Sequence, residues 1–193
     1  MAKAAAATLD NSEVKPVSLA TQIALVVSAS LFVALCARIT LPLPFTPVPL
    51  TVQNFGVLLV GLVLGSRRGF AALVLYLAEG AAGLPVFSLA GVGGIAQIFG
   101  ITGGYLLAYP VAAFVAGWIA ERGPGTFSRF ALAALAGDAV IFAGGLAWIF
   151  ALTHSVSQTI RYGLIWFVFA EVIKILFAAG IRMRMKNGVR FSS

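Results

Sequence analysis

Glu171 and Lys174 stand three residues apart in an otherwise apolar run near the C-terminus. In a helix that spacing puts a carboxylate and an ammonium on one face, close enough to pair. Side by side they offer a hydrogen-bond acceptor and a donor, which suits the clamping of an amide-like or zwitterionic solute. The same two residues also make sense as a plain ion bridge between helices, since removing either partner strands the other. Glu79 and Asp138 interrupt further apolar runs. A charge inside a membrane-spanning helix costs at least ~2.5–3.5 kcal/mol on insertion scales, so each needs a partner or a purpose. Arg38 has two readings, neutralising an anionic solute at an entrance or snorkelling to headgroups.

No catalytic constellation assembles around these groups. His154 is the only histidine and Cys36 the only cysteine. A histidine metal centre, a disulfide framework and a cysteine metal site therefore all lack parts. The glycine-rich stretches lack the lysine of a phosphate-binding loop. Neither an enzyme nor a cofactor is expected.

The elements that must hold the charges follow from composition. Of 193 residues, 61% are hydrophobic and 10% charged, whereas a soluble domain carries roughly 25% charged residues to keep its surface wet. Lipid must therefore cover most of the protein. Apolar runs predict six transmembrane helices at about 17–39, 52–64, 69–84, 102–120, 130–152 and 162–181, forming one all-α membrane domain over 17–193. Residues 1–16 are Ala-rich and polar, lack the apolar core of a signal peptide, and are read as a mobile cytoplasmic tail.

The net charge of +7 does not mark a nucleic-acid binder, because the cations sit singly or in pairs between apolar runs. Placing both termini in the cytoplasm puts ten of the thirteen lysines and arginines inside, as the positive-inside rule requires. This orientation sets Glu79 near the outer end of the third helix, beside a pocket or simply at the water boundary. It sets Asp138 in the cytoplasmic half of the fifth.

Two outer connections are unusual. Residues 41–50 read Leu-Pro-Leu-Pro-Phe-Thr-Pro-Val-Pro-Leu, which forbids a regular helix yet is apolar throughout. Residues 83–104 are glycine-rich and carry no charge. Irregular apolar backbone at membrane depth needs a cavity or protein cover, so both are expected to cap a ligand pocket. The bland alternative is tight helix connections in a compact bundle. Ala20 and Ala24, with Ser28 in the same stripe, form a small-residue face on the first helix that permits close helix approach. Ala112, Ala116 and Ala120 show the same spacing.

The motif Ala37-Arg38-Ile39, followed by the proline-rich run and its continuation Leu50-Thr51-Val52-Gln53, resembles the signature of the BioY family. Tyr76-Leu77, the run from Gly83 to Phe87, and Thr102-Gly103-Gly104-Tyr105 are similar to that family's other landmarks, in order. The likeness is strong over about 37–110 and topological elsewhere. It implies a biotin-binding S component of an energy-coupling-factor transporter, in the inner or plasma membrane of a prokaryote. The partners so implied are a membrane T component and two ATPase subunits, with Ala20 and Ala24 as the docking face. The implied substrate-binding residues are Phe45, Gln53, Glu79, Tyr105, Glu171 and Lys174. Glu171 takes the place of the family's usual aspartate, three residues before the lysine. A stand-alone biotin carrier without ATPases stays open at this point, as does the rival class of a membrane-embedded enzyme or helical scaffold.

Overall fold

The computed structural model describes residues 18–190; the expected tail at 1–16 lies outside them. Helix α1 (Leu19–Arg38) starts at Ser18, whose hydroxyl accepts from the Thr21 amide at 3.2 Å and so satisfies one free helix donor. After α1 the chain forms β1 (Thr40–Leu41), crosses the proline run and returns as β2 (Leu50–Thr51), antiparallel to it. Pro42 and Pro49 flank this ladder. Proline offers no amide donor, which holds the pairing to two residues.

Helix α2 (Gln53–Leu64) and helix α3 (Ser66–Ala81) meet at Gly65, whose φ of 83° ends one and begins the other. The start of α3 is capped from outside: the Glu121 carboxylate accepts from the Ser66 amide at 2.9 Å and its hydroxyl at 2.8 Å. A carboxylate there also meets the positive end of the helix dipole. Then follow α4 (Gly94–Phe99), α5 (Gly103–Glu121), α6 (Phe127–Thr153), α7 (Val156–Gly163) and α8 (Val168–Arg190).

Small residues let the helices close on α5. A Cβ on Gly61 would lie 2.5 Å from the Ala113 carbonyl oxygen and 3.0 Å from its Cα. Gly137 of α6 likewise packs against Leu58, Ala112 and Ala116. Gly61→Ala is therefore expected to destabilise the fold by ~1 kcal/mol net, because overpacking costs ~1–3 kcal/mol and the obstacle is backbone. That outweighs the ~1 kcal/mol gained in helix propensity. The melting temperature in detergent should fall; an unchanged value would mean that α5 yields at no cost.

Two readings of the sequence need correction. The expected helix at 162–181 is broken: α7 and α8 meet at 48° across residues 164–167. Gly163 is the only residue nearby that signals a stop; the residues after it are apolar and read as continuous helix. Arg67 and Arg68, placed by sequence in a loop, lie in the first turn of α3, because Gly65 alone makes the turn. Helices occupy the six apolar runs. By length and hydropathy, however, only α1, α5 and α6 among the described residues qualify singly to cross a membrane, with the bent α7–α8 pair as a fourth. At 12 residues, α2 extends only ~18 Å, short of a ~30 Å hydrocarbon core.

The two ends of the bundle differ in chemistry. At one end the Arg129 guanidinium donates to Ile119 O at 2.9 Å, Arg182 to Leu62 O at 2.8 Å, and Lys186 to Gly125 O at 2.9 Å. The opposite end carries the proline run, the glycine-rich connection and the break before α8.

Candidate functional site

A cavity opens at that second end, enclosing about 520 Å³ of space free of protein atoms, part of it continuous with the outside. Its walls are apolar and aromatic: Val48 and Pro49 from the proline run, Tyr105, Leu106 and Tyr109 from α5, and Phe142 and Phe167. Its polar groups come from α2, α4 and α8, with Thr51, Ser88 and Thr102 from the connections.

Glu171 and Lys174 both line it and are paired, Nζ to Oε1 at 2.6 Å. The break at 164–167 explains where they sit. By ending α7 early it places Glu171 in the first turn of α8, where the helix dipole favours a carboxylate that is only 3% exposed. The Asn54 amide donates to the same Oε1 at 3.3 Å, and the Tyr109 hydroxyl donates to Asn54 Oδ1 at 3.0 Å. This fixes the amide's orientation. Glu171 Oε2 is buried without a hydrogen-bond partner among the described residues. The site thus presents one open acceptor beside an ammonium whose three N–H groups are not exhausted by a single bond.

Gln53 and Tyr105 also line the cavity. The Gln53 amide donates to the Tyr76 hydroxyl at 2.8 Å, which donates to Val86 O at 3.1 Å, tying α2 to α3 and to the glycine-rich connection. The Tyr105 hydroxyl donates to Gly163 O at 2.8 Å, holding the end of α7. Phe45 and Glu79 are not brought to the cavity lining. Phe45 is half-exposed and stacks on Trp166 with centroids 4.2 Å apart. Glu79 accepts from the Ser30 hydroxyl, linking α3 to α1. Its hydrogen-bond partner is thus on another helix. Arg38 donates to Pro85 O.

The sequence reading missed Asn54, Tyr109, Gln97, Thr102, Ser88 and Phe142. One signal was available: Tyr109 follows Tyr105 by four residues, hence on the same helical face. Gln97, 5% exposed, comes from α4 and accepts from the Gly93 amide at 3.1 Å. The proline run is fastened over the site. The Thr46 hydroxyl donates to Tyr162 O at 2.7 Å and accepts from the Val48 amide at 3.1 Å, so the loop is latched to the α7–α8 break.

Comparison with known proteins agrees with this architecture. A model described as the BioY family matches residues 5–191. The biotin transporter BioY of Thermotoga maritima is 36% identical over 162 residues, 83% of this chain and 95% of that one. A probable biotin transporter BioY of Pyrococcus horikoshii is 39% identical over 160 residues, 82% and 93% of the two chains. The crystal structure of the S-component for biotin from an ECF-type ABC transporter superposes with a TM-score of 0.79. It covers 87% of this chain and 92% of that one at 22% identity, a likeness of fold. With the family model spanning nearly all of its length and these relatives matching most of theirs, the chain belongs to the BioY family.

Proposed function

We propose that this chain takes up biotin as the substrate-binding S component of an energy-coupling-factor transporter. The observation that carries the reading is the pairing of an open acceptor, Glu171 Oε2, with the Lys174 ammonium inside an aromatic-walled cavity. Biotin's ureido ring brings two N–H donors and a carbonyl acceptor, which match that pair. Its thiophane ring and valeryl chain are apolar and match Val48, Tyr105, Phe142 and Phe167. Gln53 serves at the wall with them. Phe45 acts on the ligand through the latch it forms with Trp166, and Glu79 through the seating of α3.

Six membrane crossings with both termini in the cytoplasm belong to this reading. Support comes from the separation of the basic end, with Arg129, Arg182 and Lys186, from the cavity end, in the sense that the positive-inside rule favours. The cavity then faces outward in a prokaryotic cell membrane. A membrane T component and two ATPase subunits complete the transporter, docking on the exposed Ala20 and Ala24 of α1.

The test is equilibrium binding of biotin to the purified protein in detergent, combined with limited proteolysis of the loop at 41–50. Saturable binding is expected, with cleavage of that loop slowed by biotin. Absence of binding would remove the reading, and equal cleavage rates would remove the loop from the site.

A further inference from the structure

Asp138 has no role in the site as described, yet it is 6% exposed in the middle of a chain surrounded by lipid. Its carboxyl group faces that of Glu171 across the seam where α6 packs on α8. Asp138 Oδ1 and Glu171 Oε2 are both buried without a partner among the described residues. Ionised carboxylates accept and never donate. Without a proton the two groups can only repel, and with one the contact becomes a short, charge-assisted O–H···O bond.

The surroundings supply too little positive charge for two ionised acids. From α8 the groups facing Asp138 are Glu171 and Lys174, and from α5 it is the phenol Tyr109. Helix α2 contributes the neutral Asn54 amide. Helix α7 meets α6 two turns further on, where Gly163 packs against Leu146 and Ile149. The next cation on the seam is Arg182, whose guanidinium lies over Phe130, two turns back along α6. Lys174 balances one carboxylate, leaving a net charge of minus one unless a proton is held.

We propose that Asp138 and Glu171 share a single proton beneath the cavity, and that ligand capture is linked to that proton. The shared proton leaves Glu171 ionised and oriented. The second lone pair of Oε2 remains free to accept from a ligand N–H, while the site as a whole is neutral. A metal cation in place of the proton would be set against the Lys174 ammonium, and repulsion disfavours it.

The linkage rests on the biotin reading, because biotin carries a carboxylate that stays ionised through the neutral and alkaline range. Entry of that anion is easier into a neutral site than into a negative one. The bound form therefore keeps the proton to higher pH than the free form. Affinity should be flat while both forms hold it, then fall by up to about tenfold per pH unit once the free form loses it.

The experiment measures biotin affinity of the purified protein against pH, for wild type and Asp138→Asn. It also follows the infrared carbonyl stretch of a protonated carboxylic acid in the ligand-free protein. The asparagine amide donates to Glu171 without a titratable proton. The variant is expected to bind biotin and to lose the alkaline fall. The infrared band is expected in wild type, disappearing over the pH range in which affinity falls. An absent band at neutral pH overturns the proposal, as does an unchanged alkaline fall in Asp138→Asn or recovery of alkaline affinity by added sodium. Failure of biotin to bind at every pH removes the reading of the ligand instead, and the band in the ligand-free protein then decides the proton on its own.

Discussion

Glu171→Ala and Lys174→Ala are each expected to weaken biotin binding by at least tenfold, about 1.4 kcal/mol, in equilibrium measurements on folded protein. A hydrogen bond to a charged group contributes ~1.5–3 kcal/mol, and both groups face the cavity. The larger loss is expected for Glu171→Ala. That change removes the open Oε2 acceptor, the partner of the Lys174 ammonium at 2.6 Å and the anchor of the Asn54 amide at 3.3 Å. Breaking a buried pair also costs ~3–5 kcal/mol of stability, so melting temperature must be followed alongside affinity. A variant that stays folded and binds biotin normally would make the pair a structural bridge.

Replacing Ala20 and Ala24 with leucine is expected to leave biotin affinity intact while uptake driven by the ATPase module collapses. Both alanines are exposed on α1, only 28% of which is buried within the protein, so none of the described residues fills the space above them. Bulk added at a close helix contact costs ~1–3 kcal/mol, which is about five- to 150-fold in a docking equilibrium. The control is the same replacement at Ala112 and Ala116. Both are fully buried, and the change should act on folding. Full uptake by Ala20→Leu/Ala24→Leu would favour a stand-alone carrier, since that reading needs no docking face.

What could be read from the sequence was whatever rests on local composition. Apolar runs marked the long helices because lipid exposure leaves no other pattern, and alternate prolines marked an irregular, apolar cap. Glu171 and Lys174 were legible because charge in an apolar run is costly and three-residue spacing fixes a face. The missed residues are uncharged: Asn54 and Gln97 carry no such penalty, and only the folded cavity shows that they face a common space. Glu79 stands off the cavity lining for a different reason. Its partner Ser30 lies 49 residues away, a contact that no local pattern encodes. The α7–α8 break escaped notice because Leu164, Ile165, Trp166 and Phe167 are as apolar inside a helix as between two.

The short β1–β2 ladder changes what ligand capture costs in disorder. It ties the two ends of the segment 42–49 together at Thr40–Thr51 and Leu41–Leu50. Four of the eight residues between them are prolines, whose φ angles are fixed before any ligand arrives. Ordering a free chain costs ~1–2 kcal/mol of backbone entropy per residue. A closed, proline-stiffened loop latched through Thr46 to Tyr162 has already met part of that cost on folding, and contact with a ligand completes the rest. Binding then retains more of the free energy of its contacts than a free loop would allow, because preorganised sites lose less of it to ordering.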